Sequence, residues 1–111
     1  FNSFPMSIVH SVFFNLKHPV NSIEEAQFFE KSFKILSAIP GVNHFSVLNQ
    51  TSPKCNFKFG FSMVFNSHDE YQAYNDHPDH CSYVEDIWVH EVMEFQEIDY
   101  VAHTQYNPKP I

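Results

Sequence analysis

At 111 residues the chain is one domain, and thirteen Phe, five Tyr and one Trp supply the apolar area for its core. Six lysines and no arginine against thirteen acidic residues give a net charge of −7, which repels phosphate backbones and anionic lipid and argues against nucleic-acid and membrane partners. Two cysteines are too few for a disulfide framework, and no apolar run approaches the roughly 20 residues of a membrane span.

The chain opens at Phe1, so either Met6 stands close to a native start or a leader has been removed. Residues 1–6 are expected to be an extension, 7–102 the domain and 103–111 a loose arm. Residues 8–16, IVHSVFFNL, are β-branched and aromatic without a breaker, which predicts a strand. After the turn HPVN, Ser22 and Glu25 fit a capping box, and the helix it opens is expected to reach about Ala38. Ala26, Phe29, Phe33 and Leu36 form its apolar stripe, widened by Phe28 and Ile35, with Glu30 and Lys34 paired on the wet side. Pro40-Gly41 stops it.

Residues 42–49 predict a second strand. Residues 57–65 alternate cleanly: Phe57, Phe59, Phe61, Met63 and Phe65 share one face of a third strand. Ser67 and Glu70 repeat the capping box and open a second helix to about Asn75. Pro78 interrupts it, and a third helix follows to about Val89. Residues 91–101 predict the last strand. The order β-α-β-β-α-(α)-β is that of ferredoxin-like α+β folds with a four-stranded antiparallel sheet. Such a sheet has helices on one face only. Val12, Phe14, Leu48 and Val64 are expected on the other, where a second copy of the chain would cover them and leave a cavity between the two sheets.

Chemistry concentrates in AYNDHPDHCSY, residues 73–83. As structure alone it is a helix start, with Pro78 at the first position and Asp79 at the positive end of the dipole. As a site it offers His80, kept neutral near a helix N-terminus, beside the hydroxyl of Tyr74: an acid/base pair near neutrality. Two histidines three apart, His77 and His80, need a further ligand such as His10 or His44 to hold a metal, and no metal is assigned. His10 sits mid-strand and gains interest only if it points into a cavity. KFGFSMVF fails as an RNA-binding signature, because Phe57, Lys58 and Ser62 are the wrong residue types. No P-loop, dinucleotide glycine motif or nucleophile elbow is present, which removes the usual nucleotide and triad-hydrolase readings, and the Tyr74–His80 chemistry requires no cofactor.

Three stretches together resemble the stress-responsive A/B barrel (Dabb) domain of the dimeric α+β barrel superfamily. They are IVHSVFFNLK, the Ile39-Pro40-Gly41 turn, and SPKCNFKFGFSMVFNSHDEYQAYNDHPDH with its H-P-x-H. Ile98-Asp99-Tyr100 is similar to the end of its last strand. The resemblance spans about residues 7–101. It implies a homodimer with a small apolar or oxygenated ligand in an internal cavity. It also implies a comparison with the plant polyketide cyclase type, which closes a linear poly-ketone by aldol condensation without a cofactor. That type's catalytic tyrosine and histidine fall on Tyr74 and His80, and its strand-one histidine on His10. Its pocket aromatics fall on Phe28 and Phe29, and a further tyrosine of that pocket is Ser32 here. Phe14, Val64 and His77 complete the candidate lining. The competing expectation is an interaction protein whose cavity is filled by Phe14, Phe28 and Phe29.

Overall fold

The structure is a computed structural model and describes residues 6–104. Apart from Met6, His103 and Thr104, the proposed extension and arm lie outside the described residues. The elements are β1 (Ile8–Leu16), α1 (Ile23–Leu36), β2 (Asn43–Asn49), β3 (Phe59–Phe65), α2 (His68–Asp76), α3 (Pro78–Tyr83), a wide turn of helix (Val84–Trp88), α4 (Val89–Glu91) and β4 (Val92–Tyr100). The four strands form one antiparallel sheet in the order β2-β3-β1-β4. This is the ferredoxin-like α+β arrangement expected from the element order.

Both long helices start with the same chemistry. Ser22 accepts from the Glu25 N–H, and Ser67 from the Glu70 N–H. The glutamate carboxylates reach back one residue beyond the serine, to the N–H of Asn21 and of Asn66. At α1 the Ser22 N–H is already donated to the Pro19 carbonyl, so the next free donor is the one before it. The left-handed backbone of Gly41, φ 92°, turns the chain from α1 toward β2.

The α1 stripe differs from the periodicity expected. Phe28, Ser32 and Leu36 are the buried column, while Ala26 and Phe33 face outward. A serine in the centre of a core face is the reason the pattern misleads. Its hydroxyl is sealed at 2.7 Å against the Tyr83 hydroxyl, so burial leaves no polar atom unpaired. Phe33, 51% exposed, instead lies beside Phe45.

The helix-facing side of the sheet carries Phe59, Phe61, Met63 and Phe65, as their alternation predicted. Val12 and Phe14 lie on this side too, opposite Phe61 and Phe59, and not on the open face. β1 is apolar at both parities, so its facing could not be read from pattern; pairing with β3 decides it. The open face bears Val9, Phe13, Leu48 and Val64. Gly60 lies between Phe13 and Leu48, and a Cβ there would come within 3.2 Å of the Phe13 ring.

At one end of the fold, Glu91 ties three elements together. It accepts from His18 at 2.8 Å and pairs with Lys31 at 2.5 Å. Partial burial raises its carboxyl, but the bonds from Lys31 and His18 outweigh this and hold it below the usual carboxylate range.

Candidate active site

The helices pack on β1, β2 and β3 through Phe14, Phe45 and Phe65, and cover β4 only in part, Trp88 lying against Phe95. Phe95, Glu97 and Asp99 point to the same side as Phe14, Val12 and His10, yet all three are exposed. Beside this gap lies a cavity of ≈ 170 Å³. Its floor is His10 and Val12 of β1 and Phe61 and Met63 of β3, and the exposed Phe95 and Glu97 of β4 stand at its open side. Tyr74, His80, Tyr83, Val84, Trp88 and Val89 form the roof, and Leu36 closes the α1 side. The cavity therefore sits between sheet and helices within one chain. The chamber expected between two sheets is not where this space lies, because incomplete helical cover of β4 creates it.

Tyr74 arrives on the buried side of α2, and His80 on the first turn of α3, three residues beyond its histidine cap. Their rings are 4.5 Å apart between centroids. The His80 Nδ1–H donates to the Asn75 carbonyl at 3.2 Å, which leaves Nε2 as the nitrogen with a lone pair. Burial lowers the His80 pKa from the usual imidazole range, with the Asn75 carbonyl opposing in part. Burial pushes the Tyr74 phenol up, so its proton stays on oxygen at neutral pH. Tyr71 and Tyr83 have their hydroxyls engaged, whereas that of Tyr74 makes no hydrogen bond among the described residues.

His10 is 6% exposed, and its ring lies 6.3 Å from Tyr74. Its Nδ1–H donates to Asp99 at 2.5 Å, and the Tyr71 hydroxyl donates to the other oxygen of the same carboxylate at 2.8 Å. This orients the imidazole with Nε2 free of that cluster. Sequence reasoning misses Tyr71 and Asp99 as site residues. The signal that could have found them is the antiparallel pairing of first and last strands, which sets Asp99 directly opposite His10. Burial and the Asp99 carboxylate raise the Tyr71 phenol.

The structure thus brings His10, Tyr74 and His80 to one cavity. The other candidates go elsewhere. Phe14, Phe28 and Phe29 pack on one another in the core, with centroids 5.5 to 6.2 Å apart, and do not line the cavity. Their packing does not fill it either. Val64 lies on the open sheet face opposite Val9. His77 caps α3, its Nδ1 accepting from the Asp79 N–H at 3.0 Å, which is the helix-start role. Among the described residues no group of three or more His, Cys, Asp or Glu is placed to hold a metal ion.

Known structures share this architecture. A Dabb family protein of ferredoxin-like fold from Mesorhizobium loti is 52% identical, with a TM-score of 0.88 over 89% of this chain and 99% of that one. A dimeric ferredoxin-like protein of unknown function from Thermobifida fusca is 21% identical, with a TM-score of 0.72 over 88% of this chain and 92% of that one. The hydroxynitrile lyase from Passiflora edulis is 12% identical, with a TM-score of 0.78 over 93% of this chain and 99% of that one. At the two lower identities the likeness is one of fold. No curated protein matches the sequence. The family model described as Stress Responsive A/B Barrel Domain matches residues 8–102. With that match over most of its length, the chain belongs to the stress responsive A/B barrel domain (Dabb) family.

Proposed function

We propose that the protein binds a small oxygenated molecule in the cavity and moves a proton on it, as a cofactor-independent lyase- or isomerase-type enzyme. The observation that carries this is the unpartnered Tyr74 hydroxyl beside an imidazole whose Nδ1–H is already spent on Asn75. The hydroxyl is not sealed in, since no buried side-chain polar atom among the described residues lacks a partner; it belongs to a residue lining the cavity, where a ligand can accept from it. In this reading His80 Nε2 takes a proton from the carbon next to a carbonyl. Tyr74 donates to the oxygen that gains negative charge. His80 then returns that proton to the product, and His10, oriented by Asp99 and Tyr71, lines the same cavity. A hydroxynitrile lyase, 12% identical, has the same fold, so the fold accommodates a lyase.

Proton exchange tests this whatever the natural substrate is. A panel of small ketones in D2O is followed by proton NMR for deuterium entering the α-carbon. The protein is expected to accelerate exchange of at least one ketone over buffer, and Tyr74→Phe to slow that exchange by about 10²-fold. No acceleration across the panel, with no movement of the His80 ring signals, sinks the reading.

The working unit is a homodimer. Val9, Leu48 and Tyr100 are 37%, 41% and 58% exposed, and Val9 and Leu48 stand on the open sheet face. A dimeric relative has the same fold. Light scattering is expected to give twice the chain mass of 13.0 kDa; a stable monomer at micromolar concentration would contradict it.

A further inference from the structure

We propose that the cavity selects an uncharged carbonyl compound about the size of one ring, and that Glu97 at its mouth turns away the corresponding carboxylate. The proposal rests on the reading of the cavity as a ligand site and names the class of ligand.

Size is the first argument. A volume of ≈ 170 Å³ is close to that of an engineered apolar cavity of about 150 Å³ that takes up benzene. Trp88, Phe61 and Phe95 offer ring faces and edges against which one flat molecule packs.

Charge is the second. Among the described residues Glu97 is the one carboxylate lining the cavity, and no lysine lines it. The sequence contains no arginine. Lys31 and Lys34 are committed to Glu91 and Glu30. Asp99 lies two residues beyond Glu97 on the same face of β4 and already holds His10. A carboxylate entering from the β4 side therefore passes one negative group and finds a second behind the histidine. It would lose its water without meeting a cation, which is unfavourable in any protein interior. A ketone or aldehyde oxygen needs far less, and the single free Tyr74 hydroxyl matches it. The field of Glu97 also reaches the ring opposite: it acts to raise the His80 pKa against the larger effect of burial.

The experiment compares three probes of one shape. Acetophenone, benzoate and benzylamine are titrated into the full chain at about pH 8, above the ordinary imidazole range. The ring signals of His80 and Tyr74 report occupancy. Acetophenone is expected to bind, with benzoate weaker by at least about tenfold. In Glu97→Gln that gap is expected to shrink several-fold, while Glu85→Gln, an exposed charge outside the cavity lining, leaves it unchanged. Equal binding of benzoate in the parent overturns the proposal and leaves the cavity reading standing. So does an unchanged gap in Glu97→Gln, or tighter binding of benzylamine than of acetophenone. No signal movement with any probe overturns both.

Discussion

His80→Ala is expected to lower kcat/KM for the ketone proton transfer by about 10²–10⁴-fold. Melting temperature should change far less than a core truncation would change it. The imidazole is only partly buried, and among the described residues its one hydrogen bond is the 3.2 Å contact to the Asn75 carbonyl. That carbonyl ends free to meet water or the Cys81 thiol, which already lies 3.6 Å away. The pH profile separates a base from a bystander. The neutral imidazole is the active form, and burial lowers its pKa. Activity of the parent should therefore rise with pH through a value below the free-histidine pKa of about 6.5 and stay level above it. Loss of that acid limb in His80→Ala, with residual activity flat in pH, is the expected signature. An acid limb above the free-histidine value, or a variant as active as the parent, removes His80 from the chemistry.

Phe61→Ala is expected to cost about 3–5 kcal/mol, a large share of the roughly 5–15 kcal/mol that holds a small domain folded. The side chain is 1% exposed. It lies against Phe14 at 4.8 Å between centroids, Phe45 at 5.3 Å and Phe28, nearly parallel, at 6.1 Å. These neighbours come from β1, β2 and α1, so no single element can move in to fill the gap. Urea denaturation with a constant m-value measures the loss. Phe33→Ala is the matched contrast: half its surface is already in water, and its loss should be a small fraction of that of Phe61. A comparable loss in both variants would show that the outward turn of Phe33 is wrong.

The order and kind of the elements were legible because each boundary has a local cause. Ser22 and Ser67 cap the helices expected of them, Pro78 starts α3, and the Phe59–Phe65 alternation gives β3 its face. Facing was legible only where one parity is polar. Val12 and Phe14 sit in a strand with apolar and polar residues on both parities, Val9 and Phe13 alternating with Ser11 and Asn15 between them, so their side is set by partners distant in sequence. Ser32 fails for a related reason: a hydroxyl belongs in a core only if another hydroxyl waits there, and Tyr83 is 51 residues away. The same division holds at the site. Tyr74 and His80 are close in the chain and could be paired by spacing. Asp99 and Tyr71 meet at His10 across 89 and 61 residues: the register of β1 against β4 brings the first, and the seating of α2 on the sheet brings the second.

The wide turn at Val84–Trp88 interrupts an otherwise regular helical run from Pro78 to Glu91, and two of its residues, Val84 and Trp88, roof the cavity. Such a turn holds one more residue than ordinary α-winding accommodates. Deleting one of Glu85, Asp86 and Ile87 would let the helix wind normally and flatten the bulge that sets Val84 and Trp88 over the cavity. The indole would shift in the roof although no roof residue had been exchanged. The shape of this chamber is thus encoded partly as a count of residues.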